Sequence, residues 1–152
     1  MSEEPFTTTS EERLIGLTIT EVRSAVPLRP GQEAGLVVVA ELEEPFRALH
    51  IYIGQAEARA IQAGQRGEHP SRPSTWDLLI LALELYDARL VKAVIDGAEE
   101  KRHFFATLRL EGTAGAHNLA CRPSDAIALV VRTPGAGLFA TEQVLAEAGH
   151  YP

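Results

Sequence analysis

The stretch Arg122-Pro123-Ser124-Asp125-Ala126-Ile127-Ala128-Leu129-Val130-Val131-Arg132 sets a guanidinium, a hydroxyl and a carboxylate at the head of an apolar run. Proline is pre-organised for the first helical position, and Ser124 and Asp125 fall where a helix has free N–H groups and its positive dipole end. The helix therefore starts near Pro123. A guanidinium beside unpaired N–H groups suits an anion such as a phosphate, which makes Arg122 a candidate phosphate ligand. A competing reading pairs Arg122 with a neighbouring carboxylate. The device recurs earlier as Arg72-Pro73-Ser74-Thr75-Trp76-Asp77 ahead of Leu78-Leu79-Ile80-Leu81-Ala82-Leu83, adding Arg72 and Asp77. Glu57, in the first turn of a helix opened by Gly54, is a third carboxylate able to act as a ligand or general base. All three carboxylates are equally explained by the helix dipole.

These helix heads must be held by the segments between them. Ile15, Leu17 and Ile19 alternate with Gly16, Thr18 and Thr20, the period of a strand with one buried face. Pro27, Pro30 and Gly31 predict a loop over Ser24 to Ala34, and Leu36-Val37-Val38-Val39-Ala40 a central strand. After a turn at Glu43-Glu44-Pro45, Leu49, Ile51 and Ile53 complete an antiparallel meander. The helix from Gly54 carries Ala56, Ala60 and Ala63 as a small-residue stripe for close packing on a sheet. The helix ending near Tyr86 is apolar on nearly every side and needs cover on both faces; a second subunit supplies one, giving a homodimer. Val91, Ala93 and Ile95 predict a strand, Asp96-Gly97 the start of a turn through Glu99-Glu100-Lys101, and Phe104, Ala106, Leu108 and Leu110 the return strand. His117 to Cys121 then feeds Arg122. After a Pro-Gly loop and a short strand, Thr141 caps a last helix to about Ala148, and His150 to Pro152 are expected to fray.

The expected fold is α+β: a single domain with a mostly antiparallel, curved sheet enclosing two central helices, and a C-terminal helix. Residues 1–12 are expected as a flexible N-terminal tail, 13–148 as the domain and 149–152 as a C-terminal tail. At 152 residues, with 45% hydrophobic and 23% charged side chains, the chain suits one globular domain. No signal peptide or long apolar run is readable, so a cytoplasmic location and no membrane partner are expected. The single cysteine, Cys121, reads as a small buried residue. A net charge of −7 excludes a broad electrostatic grip on nucleic acid and leaves only a local basic site. Acidic surface is also compatible with a metal-dependent site. Among twelve arginines and two lysines, the excess of arginine fits phosphate recognition or merely the base composition of the gene. His50, His69, His103, His117 and His150 fit no metal-binding spacing, and no phosphate-cradling Gly-rich loop, dinucleotide fingerprint or Ser-His-Asp motif is present.

Ile51-x-Ile53-Gly54-x-x-Glu57-Ala58-x-Ala60-Ile61, Arg72-Pro73-x-Thr75-x-Asp77-Leu78-Leu79, Phe104-Phe105-Ala106 and Arg122-Pro123-Ser124-Asp125-Ala126-Ile127-Ala128-Leu129 occur in this order. In these blocks the chain resembles the bifunctional nuclease domain family, from about Leu14 to about Leu145. The resemblance implies a nuclease hydrolysing phosphodiester bonds in DNA and RNA with Mg²⁺ or Mn²⁺. Glu57, Asp77 and Asp125 would be its catalytic and metal-binding carboxylates, and Arg72, Arg122 and Ser124 would hold phosphate. Two positions depart from the family pattern: Trp76 stands where a His is usual, and Ala120 where an Asp commonly precedes Arg-Pro-Ser-Asp. Both remove groups that could handle protons or metals. The alternative is a non-catalytic anion- or ligand-binding regulatory module of the same fold, acting as a homodimer. A third reading makes the arginines and aspartates a folding device, a buried network at the strand-to-helix junctions.

Overall fold

The computed structural model describes residues 13–152. The expected tail at 1–12 lies outside them. The alternating and β-branched segments form seven strands: β1 (Leu14–Arg29), β2 (Gln32–Glu41), β3 (Ala48–Ile53), β4 (Ala88–Glu99), β5 (His103–Gly112), β6 (Gly115–Cys121) and β7 (Gly137–Thr141). They make one sheet in the order β3-β2-β1-β7-β4-β5-β6. Only β4 and β7 run parallel; the other pairings are antiparallel. Four helices complete the described residues: α1 (Gln55–Gln65), α2 (Thr75–Leu85), α3 (Pro123–Val130) and α4 (Glu142–Ala148). The fold is α+β, a single domain, as the sequence implies.

β1 joins the two halves of the sheet. Its first residues pair with β7, Leu14 with Thr141 and Gly16 with Phe139, and from Leu17 onward it pairs with β2 through three register shifts. Such irregularities bend and twist a strand. They also overturn the expected loop over Ser24 to Ala34: Val26 pairs with Ala34 and Arg29 with Gln32, leaving Pro30-Gly31 as the turn. Pro27 is tolerated because it sits beside a register shift. The turn expected from Asp96-Gly97 through Lys101 opens later, for the same reason. A register shift between Ile95 and Gly97 lets β4 continue to Glu99, and the chain reverses at Glu100 and Lys101, both at positive φ. Residues 149–152, expected as a tail, are anchored at their start, because His150 and Ala48 exchange backbone hydrogen bonds of 2.8 and 2.9 Å.

The central helix is α3, in which Ala126, Ile127 and Ala128 are fully buried. It packs on α1, α2, β4, β5 and β7. Val37, Val39, Leu49, Ile61, Ile95, Ile127 and Leu145 belong to one continuous core. α1 lies on β1 and β2, but its buried residues are Ala58, Ala60 and Ile61, whereas Ala56 of the expected small-residue stripe is exposed. Gly35 sets this helical phase. A Cβ there would lie 2.7 Å from both the Ala58 Cβ and the Gly54 carbonyl oxygen. α4 is capped by Thr141, whose hydroxyl accepts from the Val144 N–H at 3.2 Å.

A buried ion-pair network clamps this end of the molecule. The Arg47 guanidinium donates to Glu41 at 2.8 and 3.1 Å and to Glu142 at 2.9 Å through two nitrogens. It joins β2 to the head of α4. Both carboxyls are held below the usual carboxylate range, first by hydrogen bonds from Arg47.

Candidate functional site

The heads of α1, α2 and α3 meet through side chains. Strand β6 ends at Cys121, Arg122 is the N-cap of α3, and Pro123 opens the helix as its N–H-free first residue. The Arg122 side chain folds onto its own first turn. Its Nε donates to Asp125 Oδ2 at 2.9 Å and its Nη2 to Asp125 Oδ1 at 3.1 Å, a bidentate pair. Arg122 Nη1 also lies 3.6 Å from Glu57 Oε2, at the head of α1. From α2, the Trp76 indole N–H donates to Asp125 Oδ1 at 3.1 Å. Trp76 therefore works as a hydrogen-bond donor as well as packing on the core. Gly54 leaves room for the Glu57 carboxylate to fold back over the start of α1, where a Cβ would collide with it.

Asp77 belongs to a second cluster. It closes a capping box with Ser74, whose backbone N–H and hydroxyl donate to Asp77 Oδ2 at 3.2 and 2.7 Å. Its other oxygen accepts from Arg132 Nε at 2.9 Å. Arg132 further donates to the Ala128 carbonyl at 2.8 Å and the Ala60 carbonyl at 3.0 Å. One guanidinium thus ties α1, α2 and the end of α3, with its carbon 5.9 Å from the Trp76 ring centroid.

These partners set the protonation states. Burial opposes ionisation of Asp125, but the hydrogen bonds from Arg122 and Trp76 and the charge of Arg122 outweigh it, so its carboxyl is held low. Burial likewise opposes ionisation of Asp77, and Ser74 and Arg132 overcome it. The hydrogen bond and charge of Asp125 hold the Arg122 guanidinium above its ordinary value. Cys121 is pushed up to about 11, first by burial and then by the negative charges of Asp125 and Asp96. It stays a thiol at neutral pH, unsuited to nucleophilic attack.

Of the residues expected to act together, Glu57, Arg122 and Asp125 are joined, and Asp77 is held apart by Arg132. Arg72 is exposed and forms no ion pair or side-chain hydrogen bond among the described residues. Ser124 is buried. Arg132 is a member of the Asp77 cluster that the helix-start pattern does not mark. It lies just beyond the Val131 C-cap of α3, and its partner Asp77 is 55 residues away, so no local spacing marks the pair. Among the described residues, no group of three or more His, Cys, Asp or Glu side chains is arranged to hold a metal ion. Both oxygens of Asp77 and of Asp125 already face N–H or O–H donors. As arranged, this donor set does not fit Mg²⁺ or Mn²⁺, which require converging oxygen ligands.

Comparison with known proteins places these helix heads in a recognised unit. The sequence pattern described as the bifunctional nuclease domain matches residues 37–152, which include all of α1, α2 and α3. The chain belongs to the bifunctional nuclease domain family. Two uncharacterised proteins of Mycobacterium tuberculosis, from strains CDC 1551 / Oshkosh and ATCC 25618 / H37Rv, are each 38% identical to it over 108 residues. The alignment covers 68% of this chain and spans 60% of each mycobacterial protein. In this bifunctional nuclease domain, among the described residues, no helix is long and apolar enough to cross a membrane.

Proposed function

We propose that this bifunctional nuclease domain engages the phosphodiester backbone of DNA or RNA at the heads of α1, α2 and α3, with Arg122 as the phosphate-contacting group. The observation that carries the reading is the setting of Arg122: a side chain 63% exposed, pinned by Asp125 and Glu57 at the N-terminus of a buried helix. A guanidinium has five N–H donors. Asp125 takes two, and at most one more turns to Glu57, leaving donors for phosphate oxygens on a pre-oriented fork. Arg72, unpaired among the described residues and just ahead of α2, is the second proposed phosphate ligand. With a net charge of −7, the contact is local and its affinity salt-sensitive.

The second reading is hydrolysis of DNA and RNA, favoured by membership in the family. In it, Glu57, Asp77 and Asp125 supply the carboxylates, and Asp77 and Asp125 would first exchange their present Arg132 and Arg122 donors for Mg²⁺ or Mn²⁺. Glu57 is the least tightly held of the three, its nearest ion-pair contact being 3.6 Å.

The test is a fluorescence anisotropy titration of labelled single- and double-stranded DNA and RNA at low salt. Arg122→Ala should bind at least about tenfold more weakly than wild type, the loss expected for charge-assisted hydrogen bonds to phosphate. Equal affinities would remove Arg122 from the site. The same strands, incubated with Mg²⁺, Mn²⁺ or EDTA and resolved by length, decide between the readings. Metal-dependent cleavage absent from a folded Asp125→Ala protein supports hydrolysis; intact strands throughout support binding alone.

A further inference from the structure

We infer that the outward face of α2 is the two-fold interface of a homodimer, with a second copy of this chain as its occupant. α2 turns Trp76 and Ile80 toward the core and packs on β4 and α3, yet none of its residues is buried. Leu78, Leu79, Leu81 and Leu85, with Tyr86 at its C-cap, are 43–79% exposed. These side chains and Ala82 lie at helical spacings that make one broad apolar face. They expose on the order of 600 Å², at the upper end of the largest apolar patch on a typical monomer. That is also most of the roughly 800 Å² that each partner contributes to a standard interface. A recess of about 490 Å³ beside the helix, where Ile80, Leu81 and Pro134 meet Glu68, Asp77 and Arg132, adjoins this face.

The chemistry of the face selects its occupant. From Thr75 to Asp87 there is no lysine or arginine, and the charged residues are Asp77, Glu84 and Asp87. Nucleic acid and anionic membrane both call for cations at the contact. The chain's own first twelve residues offer only Met1 and Phe6 as large apolar side chains, too few to cover five. A second α2 meets the requirement, since apolar surface then covers apolar surface and an isologous contact makes the patch complementary to itself. Ala82, flanked by the larger side chains, permits close approach where the two-fold axis crosses the helix. The same helix carries Trp76, the donor to Asp125, at its head. The interface therefore fixes the element that helps to position Arg122.

The experiment is light scattering coupled to size-exclusion chromatography over a dilution series, with wild type and a Leu78→Lys/Leu85→Lys protein. Wild type should elute at twice the 16.5 kDa chain mass and the double variant at the single mass, with unchanged circular dichroism. Leu85→Ser, which touches only a side chain exposed in the single chain, provides a second reading: its dimer dissociation constant should rise at least about tenfold. A wild type that stays monomeric at the highest concentration overturns the inference, as it would mean that some other partner covers α2. A dimer equally stable in both variants overturns it too, because the interface would lie elsewhere. None of these outcomes depends on nucleic-acid binding.

Discussion

Three arginines show how setting decides what one residue type does. Arg122 keeps most of its surface in water while two carboxylates aim it; Arg132 and Arg47 are buried and joined to carboxylates. The first is built to meet something outside the chain, and the other two hold elements together. Arg122 could be found in the sequence because a Pro-Ser-Asp helix start follows it immediately. Arg47 could not, since its partner Glu142 is 95 residues away and nothing local marks the pair. Removing Arg47 strands the Glu41 carboxylate without a counter-charge, a loss of about 3–5 kcal/mol for a buried pair. Arg47→Ala should therefore show a large drop in the denaturation midpoint, measured by urea titration. A midpoint within error of wild type would mean that Glu41 finds water or another donor. Arg122→Ala should leave the same titration nearly unchanged, since exposed ion pairs contribute little.

The elements were legible where their signal is local. Period-two alternation located the strands around Leu17, Ile51 and Ala93, and cap residues located the helices near Pro123 and Thr141. The two corrected turns share one cause. Prolines and glycines that usually end strands fall, in β1 and β4, at register shifts that absorb them, and a shift depends on the partner strand. The packing phase of α1 was hidden for a related reason: Gly35, on β2, decides that Ala58 rather than Ala56 faces the sheet. Gly35→Ala would insert a methyl 2.7 Å from the Ala58 Cβ, an overpacking expected to cost about 1–3 kcal/mol. Thermal melting followed by circular dichroism should register it as a lowered midpoint. A midpoint equal to wild type would show that α1 slides freely on β2.

For the molecule as a whole, the carboxylates provide a common readout. Asp77, Asp125, Glu41 and Glu142 are all held below their ordinary values of 3.8 for Asp and 4.5 for Glu. The unfolded chain then binds protons more readily than the native one, so stability rises with pH across that window and is lost as pH falls through it. Melting temperature should hold level from neutrality to about pH 5 and fall steadily below about 4.5. A level profile down to pH 3 would contradict the ion pairs at the helix heads and around Arg47.

The α+β class and the helix starts followed from patterning, and Arg122, Asp125 and Glu57 from those starts. What the sequence could not supply was convergence: that Trp76 reaches Asp125, that Arg132 takes Asp77 away from the other two carboxylates, and that α2 is left uncovered. The proposed role of the helix heads turns on a contact between Arg122 and phosphate. It is tested most directly by the slope of log K against log salt for a labelled single strand, with wild type and Arg122→Ala side by side. Loss of one phosphate contact should make the slope shallower by about 0.7. Identical slopes would place the bound strand elsewhere on the protein and contradict the account.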